Sequence, residues 1–196
     1  MKTLIIPGHR PGAGVTWQTV NEHFYVADFC RKLVDLARKQ NKQVSLFDKF
    51  AGLNNERLEK NTKLYAINGT RGFEKPDLAI EIHLDSPDAT LDKSFCMAYA
   101  AKDDLVGRRF AEQCVDAVSQ GFGFSKIPSK FATNGVILTP DEVYRNGPEG
   151  KPFEPFILSN AKMTPTFILE LGPINSPKLK DGELCRSTMQ RMVQLL

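Results

Sequence analysis

Residues 76–85, Pro76-Asp77-Leu78-Ala79-Ile80-Glu81-Ile82-His83-Leu84-Asp85, read as a strand introduced by a proline. Side chains alternate along a strand, so Ile80, Ile82 and Leu84 share one face and Glu81, His83 and Asp85 the other. A lone imidazole in a run as apolar as 79–84 needs a partner, because an unpaired polar ring is costly to bury. A histidine flanked by two acids on one face suits a metal site whose ligand is backed by carboxylates. The competing reading is an exposed polar face, which a sheet covered on both sides rarely offers.

Outward from that strand, apolar runs and helical patterns alternate. Residues 2–7 form a short apolar strand ending in Pro7-Gly8, and 43–47 a second strand. Residues 21–40 follow a helical period through Phe24, Ala27, Cys30, Val34 and Ala37. A helix is expected over 53–67, polar on one side, and a strand over 94–100. Residues 103–120 form a helix with Asp103 or Asp104 as its cap and Gly121 as its stop. Residues 122–165 are rich in Gly, Pro and Asn and read mostly as loops, with one short strand at 136–138. Long connections of this kind are often functional. A strand at 166–171 and a helix from Gly182 close the chain. The alternation predicts an α/β three-layer sandwich, a mostly parallel or mixed central sheet with helices on both faces. Nothing in the pattern indicates a domain boundary, so 1–196 is expected to be one catalytic domain.

Composition is that of a soluble globular protein: 41% hydrophobic and 25% charged, net charge +3 over 196 residues. The mildly basic balance suits an anionic surface such as a cell wall. No dense Lys/Arg stripe points to nucleic acid. No apolar stretch reaches bilayer-spanning length, and the first apolar run is too short for a signal-peptide core. The expectation is a monomer made in the cytoplasm without a signal peptide; if it acts outside, something else must export or release it. Cys30, Cys96, Cys114 and Cys185 are scattered without a C-x-x-C pair, and are expected to be reduced and structural.

The chemistry-bearing residues cluster at strand ends. His9 follows the first strand directly, and His83 lies near the end of the 76–85 strand. Sites in open α/β sheets form at the carboxyl ends of strands, so both rings can reach one crevice. Catalytic zinc is often held by two His and one carboxylate, with a position left for water. Glu22, in the first turn of the helix after the His9 loop, is the natural third ligand. Thr19-x-x-Glu22 also matches a capping box, in which the acid would bond the cap backbone instead. Glu170 ends the apolar run Thr166-Phe167-Ile168-Leu169, where a carboxyl stripped of water has a raised pKa and can act as base and then acid. A buried ion pair is the alternative. Gly8, Gly12 and Gly14 lack the lysine of a phosphate loop and do not spell G-x-G-x-x-G. No Cys sits where a nucleophile would.

Taken together these segments resemble the zinc-dependent N-acetylmuramoyl-L-alanine amidases, the cell-wall amidase type 3 family. The resemblance rests on Ile5-Ile6-Pro7-Gly8-His9, the loop Pro11-Gly12-Ala13-Gly14, Glu22 at a helix start, Glu81-Ile82-His83-Leu84-Asp85, and Glu170-Leu171-Gly172-Pro173 with Asn175-Ser176-Pro177 after it. It implies one Zn2+ held by His9, Glu22 and His83, Glu170 as the catalytic acid/base, and hydrolysis of the amide between N-acetylmuramic acid and L-alanine in peptidoglycan or muropeptides. A phage or prophage endolysin is one form such an enzyme takes. Arg10 stands where the family has Gly, Glu81 where it has a small residue, Asp85 where it has Asn, and Pro173 where it has Phe. Glu81 and Asp85 are candidates for carboxylates behind the ligands. Arg10 or Arg145 is a candidate to hold a stem-peptide carboxylate, and Trp17 and Phe131 to line the groove. The alternatives are a zinc amidohydrolase or carboxypeptidase acting on a small acyl-amino acid or peptide, and a non-catalytic cell-wall binding module.

Overall fold

The computed structural model describes residues 1–86, 95–128, 132–140, 155–161 and 163–196. In chain order these form β1 (Thr3–Pro7), β2 (Thr16–Trp17), β3 (Val20–Asn21), α1 (Glu22–Lys39), β4 (Val44–Leu46), α2 (Glu56–Ile67), β5 (Leu78–Asp85), β6 (Phe95–Ala101), α3 (Leu105–Phe122), β7 (Ser125–Lys126), β8 (Val136–Thr139), α4 (Phe156–Asn160), β9 (Thr166–Pro173) and α5 (Gly182–Leu195). Seven strands make one sheet in the order β4-β1-β5-β9-β6, with β7 and β8 both on the outer edge of β6. β1 pairs in parallel with β4 and β5, and β5 in parallel with β9. β6 runs antiparallel to β9, so the sheet is mixed.

The alternation along β5 decides the layers. Leu78, Ile80, Ile82 and Leu84 join Ile5, Phe167 and Leu169 in the larger core, covered by α1, α3 and α5. The opposite face carries Leu4, Ile6 and Ala79 against Ala66 and Ile67 of α2 and Ile157 of α4. Glu81 and His83 belong to this second face by the same alternation.

Two helix readings are corrected. The buried stripe of α1 is Val26, Phe29, Cys30, Leu33, Val34 and Ala37, whereas Phe24, expected on it, is 63% exposed. Read backwards at helical spacing, that stripe runs 37, 33, 30, 26, 22, so it delivers Glu22 inward at the end of the sheet. Helix α3 continues past Gly121 and stops at Gly123, which has φ +68°. Gly121 is a packing glycine, since a Cβ there would fall 2.2 Å from Thr188 Oγ1 of α5. Asp104 does cap α3, accepting from Gly107 N at 2.8 Å. All four cysteines are free, and Cys30, Cys96 and Cys114 are buried. Among residues 122–165, β7 and α4 add to the expected strand; 129–131, 141–154 and 162 lie outside the described residues.

Candidate metal centre

Parallel pairing brings the ends of β1 and β5 to one rim. Gly8 N extends the ladder to Ile82 O at 2.8 Å, and His9 follows it. The backbone of Gly8 lies flat against the ring of His83; a Cβ on it would fall 2.4 Å from Nδ1 and Cε1. The rings of His9 and His83 meet edge to face, centroids 4.7 Å apart. Glu22 enters from the first turn of α1 and is 2% exposed. Its Oε1 faces His83 Nδ1 at 3.0 Å and accepts from Leu84 N at 3.1 Å. Its Oε2 stands 3.4 Å from His9 Nε2 and accepts from Val15 N at 2.9 Å. The capping-box reading is not adopted: the cap is Asn21, without a side-chain cap bond, and the carboxylate is spent on the two histidine segments.

One ligand atom from each of His9, Glu22 and His83 lies within 4.8 Å of the others. Donors bound at about 2.1 Å around a tetrahedral ion stand roughly 3.4 Å apart. The two Glu22–histidine separations, 3.4 and 3.0 Å, lie close to that, and the third atom pair is near enough to close on one small divalent cation. The protonation states agree in part. Burial, then the charge of His83, lowers the pKa of His9. Burial would raise Glu22, but the hydrogen bond and charge of His83 outweigh it and hold the acid ionised. His83 is the exception: burial opposes its charge, yet Glu22 and Glu81 raise it to about 10.

Glu170 is the cross-strand partner of His83 in the β5–β9 register and lies on the same face. Its Oε2 is buried and has no hydrogen-bond partner among the described residues. Burial pushes its pKa up to about 8, against the pull of His83 and with the push of Asp85, Glu22 and Glu81. A carboxyl with one oxygen buried and unpartnered among the described residues, in a rim of acids and imidazoles, is suited to a cation and an exchangeable proton.

Behind the ligands, burial would raise Glu81, but Lys63 and His83 hold it down to about 2. Glu81 Oε1 is 3.5 Å from His83 Nε2 and accepts from Lys63 Nζ at 2.8 Å. Lys63 also donates to Glu59 Oε1 at 2.8 Å and to the carbonyl of Gly8. Arg10 Nη1 lies 3.8 Å from Glu59 Oε2, and its side chain is 28% exposed. Asp85 Oδ1 accepts from Ser86 N at 2.7 Å. Trp17 is exposed on β2. Arg145 and Phe131 lie outside the described residues.

Lys63, Glu59 and His23 were not singled out by the sequence reading. His23 is buried and its Nδ1 meets the carbonyl of His9, fixing the turn that carries the ligand. Its position directly after Glu22 was the available signal. Two hollows in the described residues lie away from this site. One surrounds Asp104 and Thr166 at the opposite rim, and the other lies between α1 and α5.

Compared with solved structures, the chain is similar along nearly its whole length to cell-wall amidases. The catalytic domain of the CD27L endolysin, targeting Clostridia difficile, superposes with a TM-score of 0.68 at 20% identity, covering 100% of this chain and 96% of that one. The CwlD amidase of Clostridioides difficile, solved in complex with the GerS lipoprotein, gives 0.66 at 15% identity over 98% and 95% of the two chains. The catalytic domain of CwlV, an N-acetylmuramoyl-L-alanine amidase from Bacillus (Paenibacillus) polymyxa var. colistinus, gives 0.65 at 14% over 100% and 96%. No protein-family model matches the chain, and no curated protein matches it in sequence. At these identities the likeness establishes the fold: this is the α/β sandwich of the N-acetylmuramoyl-L-alanine amidases.

Proposed function

We propose that this protein is a zinc-dependent N-acetylmuramoyl-L-alanine amidase, cutting peptidoglycan between the lactyl group of muramic acid and the first L-Ala of the stem peptide. The carrying observation is the convergence of His9, Glu22 and His83 from three separate segments, within 4.8 Å, beside Glu170, whose Oε2 is buried and has no partner among the described residues. The fold, shared with proteins that carry this activity, supports the same reading.

In this reading His9, Glu22 and His83 hold one zinc. The chemistry a bound zinc supplies is Lewis acidity, which brings the pKa of a water toward about 7 and polarises the scissile carbonyl. Glu170 accepts the proton of the attacking water at its carboxylate and returns it to the nitrogen of the departing L-Ala. Its raised pKa makes it a strong enough base for the first transfer and a strong enough acid for the second. Glu22 keeps the two imidazoles in place from one carboxylate. Arg10, part-exposed at the rim, is offered to a stem-peptide carboxylate.

The deciding experiment incubates purified peptidoglycan with metal-stripped and zinc-restored protein. Turbidity is expected to fall only with zinc, releasing intact stem peptides with a free L-Ala amino terminus. Equal cleavage by metal-stripped protein would overturn the reading. Shortened stems or free amino acids would indicate a carboxypeptidase, and binding without cleavage a wall-binding module.

The charge on His83 gives a second expectation. A metal must displace its proton, and draws a further one from Glu170 where that carboxyl is still protonated, so uptake between pH 6 and 9 is expected to release at least one proton and to strengthen at least about tenfold per pH unit. The sign follows from His83 staying protonated up to about 10. Titration calorimetry in two buffers of different ionisation enthalpy measures the proton; a pH-independent affinity would contradict it.

A further inference from the structure

We propose that Lys63 is a positioning residue of the metal centre, seating Glu81 behind His83 and gripping the Gly8 carbonyl so that both histidine segments are set from helix α2. This rests on the zinc reading of His9, Glu22 and His83. The side chain of Lys63 is 2% exposed, and an ammonium group has three donors. All three have acceptors here: Glu59 Oε1 and Glu81 Oε1 at 2.8 Å each, and the carbonyl of Gly8. Gly8 precedes one histidine ligand, and Glu81 lies two residues before the other. One buried cation therefore joins the turn after β1 to β5.

Packing alone gives no reason for this arrangement. The neighbouring positions on the same face, Leu4, Ile6 and Ala79, are apolar and pack on α2. Replacing a buried ion pair with apolar groups is often neutral or stabilising, so a Lys–Glu pair in such a layer is weak evidence of a stabilising role. Its location supplies the reason. His83 turns Nδ1 toward Glu22 and leaves Nε2 3.5 Å from Glu81 Oε1. A carboxylate on the far nitrogen of a ligating histidine fixes the ring and its tautomer and raises its basicity. Glu81 supplies that carboxylate, and Lys63 keeps it from turning away. The hydrogen bonds of Lys63 go to Glu59, Glu81 and Gly8 and not to a ligand atom, so its hold on the ligands passes through Glu81 and Gly8, beside the charge it presents to His9.

The test compares the whole chain with Lys63→Met and Glu81→Gln. Zinc affinity is read by chelator competition at fixed pH, ligand geometry by the visible spectrum of the cobalt(II)-loaded protein, and folding of the metal-free protein by circular dichroism. Both variants are expected to bind zinc roughly 10–100-fold more weakly, with shifted cobalt bands. Glu81→Gln keeps the Lys63–Glu59 pair, and it decides the matter if Lys63→Met does not fold. Folded variants with wild-type affinity and spectrum, even if less stable, would make Lys63 a structural strut and overturn this proposal alone. A wild-type protein that takes up no zinc would overturn the metal reading and this proposal with it.

Discussion

Glu170→Gln is expected to lower peptidoglycan hydrolysis by about 10²–10⁴-fold, the range a general acid/base contributes, while zinc uptake and fold persist. The amide keeps the size of the carboxyl but cannot take a proton from water or return one to the amine. Stability is not expected to suffer. Oε2 is buried without a partner among the described residues, and burial raises the pKa of the group from 4.5 to about 8, so the ionised form is disfavoured in the fold. A raised carboxyl costs stability increasingly as pH rises from 4.5 toward 8, and a neutral amide removes that cost. The wild-type rate should climb on the acid side as Glu170 ionises. A bound dication draws that midpoint below 8, so it is expected between 4.5 and 8. Stopped turbidity assays across pH, with zinc saturating, measure both effects. A Gln variant within a few-fold of wild type would remove Glu170 from the chemistry.

Gly8→Ala is expected to weaken the metal centre through a single methyl. The added Cβ would lie 2.4 Å from Nδ1 and Cε1 of His83 and 2.7 Å from Cγ. The turn cannot retreat easily, because Gly8 N is bonded to Ile82 O and the Gly8 carbonyl to Lys63. The ring must rotate instead, abandoning Glu22 and Glu81. Zinc affinity is expected to fall at least about tenfold, as when a ligand loses its orienting partners. Overpacking should also cost about 1–3 kcal/mol of stability. Hydrolysis at limiting zinc should fall with it and recover in part as zinc is raised. Gly182→Ala is the control, since nothing lies within 4 Å of its added Cβ. Chelator competition on both variants is the measurement, and undiminished zinc binding by Gly8→Ala would show that the ring has room the packing denies it.

The frame of the molecule was legible because its strands are short apolar runs between helical periods. The strand at 76–85 gave its two faces directly, and the structure keeps them: Ile80 and Ile82 lie in the larger core, with Glu81 and His83 opposite. Glu22 was legible as an acid at a helix start, although its competing role as a cap could be set aside only once the α1 stripe was known to run through Val26 and Cys30 to the sheet end. The direction of β6 was less visible. The connection from Asp85 to Phe95 leaves no room for a crossover helix, which is the physical sign of a reversal. Lys63 and Glu59 were opaque. Four residues apart on a polar helix, they read as an ordinary surface pair, and only the acid at position 81 beneath α2 gives them a reason to be buried.

The parallel run of β1 and β5 also separates the two ends of the sheet by purpose. His9, Glu22, His83 and Glu170 gather where these strands finish, whereas Met1 is exposed at the end where they begin, next to Lys2 with its amide on Asp77. A purification tag, a surface linker or a further module fused ahead of Met1 would therefore emerge from the far side and leave the mouth of the site clear even for a bulky polymer.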